Sequence, residues 1–260
     1  MKYIDIDNLE QLPGRRLEAG DTFLFRCHPK IACFNQCCRN LNLFLYPYDV
    51  IRLKKRLNIT SNEFLDNHVD IVLRASNFYP EVLLKMSDHT ERTCPFLSNA
   101  GCMVYPDRPD TCRTFPLEQG VLYDAAGNST TLVHFFRPPD FCKGQHENSV
   151  WTTRSWAQDQ QAVIYNQMTL QWSELKRRFQ DDPWGQEGPV GPKAKMVFMA
   201  TYNLDQFRDF VLNSTFLRRY KVKSATLNKI RSEDVELMQF GFEWVEFFIW
   251  GIKPRSFKLR

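Results

Sequence analysis

CHPKIACFNQCC, residues 27–38, holds four of the eight cysteines of this 260-residue chain, and the rest of the sequence is best interpreted from it. A second stretch, CPFLSNAGCMVYPDRPDTC at residues 94–112, holds three more. Cys142 stands alone, and no cysteine follows it. Thiols gathered this closely along a chain either form disulfides or bind a soft metal, and the cellular compartment decides between the two.

The N-terminal sequence favours metal over disulfides. Residues 1–16, MKYIDIDNLEQLPGRR, mix charged and apolar side chains and contain no apolar segment of the kind that directs secretion. We therefore expect a cytoplasmic protein, and a reducing cytosol would not preserve four structural disulfides. No apolar stretch approaches the roughly 20 residues that a membrane-spanning helix needs.

Composition and charge indicate a globular protein without an obvious polyanionic partner. Apolar residues make up 43% of the chain and charged residues 25%, which is ordinary for a soluble domain, and the net charge is +4. The basic runs at residues 54–56 and 176–178 are interpreted as solvated helix faces. The expected partner is a protein, as partner or substrate. Neither nucleic acid nor membrane is expected, and no particular oligomeric state is predicted.

Turn residues and periodicity predict an α+β fold with two dissimilar halves. Prolines and a glycine interrupt residues 94–116, so this segment is predicted to be mostly turns, as suits a loop wrapped on a metal. Residues 120–123 and 130–136 are predicted to be strands of a hairpin around the turn at 124–128. We predict an irregular, metal-organised cysteine-rich domain with short strands at residues 1–148. A helical region at 149–260 is predicted to pack on it.

Helix signals place several elements more closely. Pro47 suits the first turn of a helix over residues 48–57, and Thr60 with Glu63 forms a capping-box pattern for the next helix. A single long helix is predicted from a cap at residue 149 or 152 to about residue 180, followed by a loop at 181–192. Further helices are predicted at 204–212 and 233–249. The predicted inner face of the long helix consists of Ile164, Met168, Trp172, Leu175 and Phe179.

The spacing of the cysteines decides which metal is favoured. Structural zinc sites commonly use C-x2-C turns, and this chain has none. Neighbouring residues point in different directions, so Cys37 and Cys38 are expected to serve two irons of a cluster or two separate centres. We therefore favour an iron–sulfur centre, as one or two 4Fe-4S clusters, with zinc as the alternative. The candidate ligands are Cys27, Cys33, Cys37, Cys38, Cys94, Cys102, Cys112 and Cys142.

Other residues near the cysteines are candidates for supporting roles. Arg108 and Arg113 flank Cys112, and their guanidinium groups either stabilise a negatively charged thiolate centre or pair with Asp107 and Asp110 to brace the loop. His28 and His134 are the histidines placed to replace a thiolate at a metal, although a purely structural role is the commoner one for such residues.

The two cysteine stretches together resemble the YkgJ-type cysteine-cluster family. The resemblance is carried by Phe25-x-Cys27, Cys37-Cys38-Arg39, Pro47-Tyr48-Asp49 and Cys94-Pro-Phe-Leu97, and by residues 101–116, GCMVYPDRPDTCRTFP. It covers residues 22–145. The first motif of the family is CxxCxxCC, whereas this chain has C-x5-C-x3-CC. Members are described as zinc- or iron-chelating domains and are related to flagellin lysine N-methylases, so the resemblance implies a bound metal centre.

Three functions follow from these observations. The first is an iron–sulfur protein that transfers electrons or supports the modification of a partner protein. The second is an S-adenosylmethionine-dependent protein lysine methylase, as the resemblance suggests, although the sequence contains no motif for that cofactor. The third is a zinc-stabilised interaction module without chemistry. Whether the protein is an enzyme stays open at this point.

Overall fold

The computed structural model describes residues 2–4, 12–73, 78–123 and 130–260, and within them the fold is α+β as predicted. The described strands are β1 Lys2–Ile4, β2 Arg15–Leu17, β3 Thr22–Leu24, β4 Val69–Val72, β5 Glu81–Leu84, β6 Leu97–Ser98, β7 Gly101–Cys102, β8 Leu117–Tyr123, β9 Thr130–Phe136, β10 Val150–Thr152, β11 Tyr220–Val222 and β12 Phe257–Leu259. The described α-helices are α1 Pro47–Leu57, α2 Ser61–His68, α3 Asp110–Thr114, α4 Thr153–Asp159, α5 Val163–Arg177, α6 Pro192–Thr201, α7 Leu204–Asn213, α8 Phe216–Arg219, α9 Ser224–Ile230 and α10 Asp234–Trp250.

The chain divides into two compact units that interleave along the sequence. Unit 1 comprises residues 1–44 and 84–173, and unit 2 comprises residues 45–83 and 174–260. All eight cysteines fall in unit 1. The predicted domain division into 1–148 and 149–260 stays a prediction.

Unit 1 is built on a four-stranded sheet with the order β1-β8-β9-β2. β1 runs parallel to β8, whereas β8 pairs antiparallel with β9 along its whole length, which confirms both predicted hairpin strands. The predicted turn at residues 124–128 lies outside the described residues. A separate two-stranded ribbon joins β3 to β10. Its core side is apolar because Phe23, Phe25 and Trp156 pack together with edge-to-face ring contacts.

Unit 2 is mainly helical, and its core is aromatic. The predicted capping box forms at α2, where Thr60 Oγ1 accepts a hydrogen bond from the Glu63 N–H and the Thr60 N–H donates to Glu63 Oε2. Helix α10 lies against α6 and α7. Phe207, Phe216 and Trp244 are almost fully buried and form mutual ring contacts that tie α7, α8 and α10 together.

Two helix predictions need correction. The predicted single helix to about residue 180 is instead β10, then α4, then α5, with a break at Gln161, whose φ of 53° is left-handed. The predicted cap at Thr152 does form, but it starts the short α4. Met168, Trp172, Leu175 and Phe179 are buried as predicted, whereas Ile164 is exposed and Tyr165, three residues before Met168, takes the inner position.

The basic run at residues 54–56 is not a uniformly solvated face. Lys55 and Arg56 are exposed, but Lys54 is buried and its ammonium group lies 2.8 Å from an Asp205 carboxylate oxygen and 3.1 Å from Asp234. A local charge pattern cannot reveal partners about 150 residues away in sequence. The solvated-face interpretation is therefore wrong for Lys54.

Candidate metal centre

The first cysteine stretch enters the site from β3 and winds tightly. Strand β3 ends at Leu24, three residues before Cys27, and the Arg26 N–H donates to the Gly144 carbonyl at 3.0 Å. Asn35 then adopts a left-handed φ of 66°, and a 3-10 turn, Gln36–Cys38, carries the adjacent cysteine pair. This short path brings widely spaced cysteines of the sequence into one region of unit 1.

Cys37 lies at the centre of the group of thiols. Its thiol is hydrogen-bonded to that of Cys38, and this bond, followed by burial, raises the pKa of Cys37 well above its usual range. The two residues lie in a 3-10 turn, where successive residues are about 120° apart around the axis, and yet their sulfurs are close enough to hydrogen-bond. That they serve two irons of a cluster or two separate centres stays a prediction.

Electrostatic interactions connect Cys37 to most of the other cysteines. Partial burial, together with the nearby Cys37, Cys33 and Cys142, raises the pKa of Cys27 to about 11, although residue 27 as a whole is exposed. Cys94, Cys102 and Cys142 also interact electrostatically with Cys37. The structure thus gathers seven of the eight predicted ligands: Cys27, Cys33, Cys37, Cys38, Cys94, Cys102 and Cys142.

The second stretch supplies Cys94 and Cys102 from a small hairpin, β6–β7, in which Leu97 pairs with Cys102. Burial raises the pKa of Cys94 to about 11, and an N–H hydrogen bond from Phe96 opposes that rise. Burial likewise raises the pKa of Cys102, against an N–H hydrogen bond from Val104. Each sulfur therefore accepts a hydrogen bond from the backbone two residues later. Such bonds stabilise the thiolate that a metal requires.

The isolated Cys142 is joined to the first stretch through the backbone. Burial raises the pKa of its thiol, while hydrogen bonds from the backbone of Gly144 and Gln145 lower it. The neighbouring Lys143 N–H lies 3.1 Å from Cys33 Sγ. A side chain at position 144 would meet the Arg26 carbonyl at 2.8 Å and the Phe25 ring at 2.9 Å, so glycine alone permits this close approach. No spacing in the sequence indicated this role for Gly144.

The two arginines have different roles. Arg108 is buried, and it interacts electrostatically with both Cys102 and Cys112 while donating to the Tyr105 carbonyl and Gln160 Oε1. It supplies positive charge beside two thiols, one of which is Cys112. Burial lowers the pKa of Arg108, and these thiols oppose that shift.

Arg113 braces the loop instead. Its guanidinium donates to the Gln160 and Pro106 carbonyls at 2.7 and 2.6 Å and lies 4.2 Å from the centre of the Tyr165 ring. The predicted bracing is therefore present, but it runs mainly through backbone carbonyls.

The histidines occupy structural positions. His28 lies 3.6 Å from a Glu147 carboxylate oxygen. His134 is in β9, opposite Gln119 of β8 and Leu17 of β2, and burial lowers its pKa. A thiolate-replacing role for either residue stays a prediction.

The donor set fits a soft metal by its chemistry. All eight cysteines are free thiols, several sulfurs accept backbone hydrogen bonds, and a buried guanidinium lies beside two of them. Within the described parts of the chain, however, no three His, Cys, Asp or Glu side chains are grouped tightly enough to hold a metal ion. The thiols are gathered in one region without converging on one point.

These features define a cysteine-rich α+β domain with a gathered set of soft ligands. Residues 26–154 belong to the CxxCxxCC family, described as a "putative zinc- or iron-chelating domain". The family assignment predicted from the sequence is thereby confirmed, and it covers about half of the chain. No curated protein and no solved structure matches the chain. Among the described helices, none is both long and apolar enough to cross a membrane.

Proposed function

We propose that this protein binds an iron–sulfur cluster through thiolates drawn from its eight cysteines, in a reducing, cytoplasmic environment. The carrying observation is the grouping of seven thiols, Cys37 and six others, in one region of unit 1, which is more than the four that one zinc ion takes. A single zinc ion requires four ligands at about 2.0–2.3 Å from one centre. A cluster presents separate irons to separate thiolates, so its ligands stand farther apart.

The residues around the thiols favour a redox centre over a purely structural metal site. When bound, a cluster supplies one-electron chemistry. The backbone N–H groups of Phe96, Val104 and Gly144 favour the charged form of three sulfurs against the larger, opposite effect of burial, and Arg108 offsets negative charge beside Cys102 and Cys112. Hydrogen bonds to the sulfurs and nearby charge are the features by which a protein sets a cluster's reduction potential. We propose that the centre transfers electrons or supports the modification of a partner protein.

The test is a composition measurement on protein purified without oxygen. Iron, acid-labile sulfide and zinc are measured per chain, with the visible absorption spectrum before and after dithionite. Iron and sulfide in equal amounts, with a broad absorption that bleaches on reduction, are expected. Stoichiometric zinc without iron or sulfide would replace the proposal with the zinc-stabilised interaction module, and the family description names zinc as well as iron.

Lysine methylation is the remaining prediction from the sequence. Calorimetric titration of the metal-loaded protein with S-adenosylmethionine tests it directly. Saturable binding of S-adenosylmethionine would support the methylase prediction. The absence of any heat of binding would contradict it.

A further inference from the structure

The ribbon β3–β10 carries an exposed face next to the thiol group. Burial alternates along this strand: Phe23 and Phe25 point into the core, whereas Leu24 and Arg26 point outward. Leu24 lies directly opposite Val150 of β10, and the two side chains are 43% and 61% exposed. An aliphatic cross-strand pair is therefore left uncovered on this face.

Three cations lie close to this face, either along the chain or across a backbone hydrogen bond. The Arg26 N–H donates to the Gly144 carbonyl at 3.0 Å, which places Lys143 one residue away across that hydrogen bond. Lys30 lies in the turn between Cys27 and Cys33. All three cations are exposed, and none has an acidic partner among the residues that the structure describes.

Acidic groups offset only part of this charge. Among the described residues from 137 to 150, the carboxylates are Asp140, which is exposed, and Glu147, which lies 3.6 Å from His28. The face thus combines an aliphatic pair with an excess of permanent positive charge. Cys27, the one exposed cysteine, directly follows Arg26.

We propose that this face, defined as Leu24, Arg26, Lys30, Lys143 and Val150, docks an acidic protein surface that presents carboxylates around an aliphatic centre. Charge complementarity steers such encounters and sets their salt dependence, while a small apolar centre gives contact area. The aliphatic pair favours a protein over nucleic acid, whose single-stranded forms are bound by stacking on aromatic side chains.

Docking on this face would bring a partner protein close to the thiol group. A partner seated on this face lies beside Cys27 and Cys33, at the exposed side of the thiol group. Weak electron-transfer complexes use small interfaces of this kind, below about 1,200 Å². The role of the docking rests on the proposed function, but the binding itself depends only on the charges and the aliphatic pair.

The experiment measures fluorescence anisotropy of a labelled peptide rich in Glu with two central Leu residues, against the full-length, metal-analysed protein at low salt. Saturable binding is expected, weakening as sodium chloride is raised to about 0.15 M, where the Debye length is about 8 Å. A Lys-for-Glu peptide and a single-stranded oligonucleotide are run in parallel, and both should bind more weakly.

Matched variants locate the binding. Arg26→Glu/Lys143→Glu should weaken peptide binding about tenfold. The milder Arg26→Gln/Lys143→Gln should give an intermediate loss, and it replaces the charge reversal if that variant does not fold. The control Lys221→Glu/Lys258→Glu changes the charge equally on an exposed cross-strand pair of unit 2 and should leave binding unchanged. Leu24→Ser should weaken binding several-fold, whereas Val190→Ser, at another exposed aliphatic residue, should not.

The outcomes separate the two proposals. No binding of the acidic peptide, equal losses in face and control variants, or tighter binding of the oligonucleotide would each overturn the docking proposal. Metal analysis of the same samples reports on the cluster independently. If the protein binds the acidic peptide but contains neither iron nor sulfide, the docking proposal is supported and the proposed redox role is contradicted.

Discussion

Unit 1 and unit 2 stabilise themselves by different means. Unit 2 buries an aromatic core and a charge-balanced set of ionic side chains within ordinary helices. Unit 1 has a smaller apolar core around Phe23, Phe25 and Trp156, and much of its cysteine-bearing chain is turns. This difference predicts that the turn-rich segments of unit 1 are ordered by metal ligation more than by buried apolar area. The stability of unit 1 should therefore depend on metal, whereas the stability of unit 2 should not.

The largest expected effect comes from removing the central thiol. Cys37→Ser should abolish most metal binding and with it a stabilisation of up to about 10 kcal/mol in unit 1, because five other thiols adjoin Cys37. Cys112→Ser should also lower the metal content, because Cys112 is one of the eight candidate ligands and lies beside Arg108. Metal content and urea unfolding check both variants.

The control for this pair is Asn99→Ser, an exposed substitution in the hairpin between Cys94 and Cys102, which should change neither quantity. Full metal content in Cys37→Ser would contradict the claim that Cys37 is central to metal binding.

The next effect tests unit 2 alone. Lys54→Met should destabilise it by about 3 kcal/mol, because it leaves the carboxylates of Asp205 and Asp234 with Arg208 as the one remaining cation of the group. The double variant Lys54→Met/Asp205→Leu should recover part of the loss, since Arg208 and Asp234 then balance. Lys55→Met, at the exposed neighbour, serves as control. Metal content should stay unchanged in all three.

The same group predicts a dependence on pH. Burial would raise the pKa of Asp205, but hydrogen bonds from Lys54 and the Ser61 N–H outweigh it and hold the pKa below its usual range. The stabilisation is therefore fully present above the carboxyl's unfolded pKa and is lost as the pH falls through the lower, folded pKa. Acid titration should weaken wild-type unit 2 more than it weakens Asp205→Asn. Parallel titrations of the two proteins would contradict this.

Two glycine substitutions sharpen the comparison at smaller cost. Gly144→Ala brings a methyl group against the Arg26 carbonyl in unit 1, and Gly241→Ala brings one within 2.2 Å of the Ala200 carbonyl in unit 2. Each should cost about 1–3 kcal/mol from overpacking. Only Gly144→Ala should also lower metal content, because Gly144 holds Cys142 in place. Equal metal content in the two variants would show that Gly144 does not support the thiols.

The smallest expected effect concerns the charge beside the thiols. Arg108→Gln should weaken metal binding by roughly 10- to 100-fold, the usual consequence of removing a group that supports metal ligands. Arg154→Gln, an exposed arginine of unit 1, is the matched control. Competition with a chelator measures both affinities, and an Arg108 variant that holds metal as tightly as the control would assign Arg108 to loop bracing.

Local signals predicted local structure well. Thr60 and Glu63 predicted the start of α2 because a capping box involves only neighbouring residues. The strands of the β8–β9 hairpin were likewise predicted from local sequence on either side of a turn. Helix α10 ends at Trp250, one residue beyond the predicted end at residue 249, where Gly251 adopts a left-handed φ of 68°. The grouping of the cysteines was expected from their number and type.

Contacts between distant residues could not be predicted in the same way. Lys54 was interpreted from its basic neighbours, whereas its carboxylate partners lie on α7 and in the first turn of α10. Trp184 falls in a loop predicted from Pro and Gly content, yet it is buried and donates to the Phe78 carbonyl. Gly144 carries no signal at all, because its role depends on the path of Arg26.

The most direct test is hydrogen exchange of the metal-loaded and the chelator-stripped protein, followed by mass spectrometry of peptides from both units. Removal of the metal is expected to lower the protection of residues 27–38 and 94–116, whereas α7 and α10 should keep their protection. Unchanged protection in the cysteine-rich segments, or equal loss in both units, would contradict the claim that metal organises unit 1.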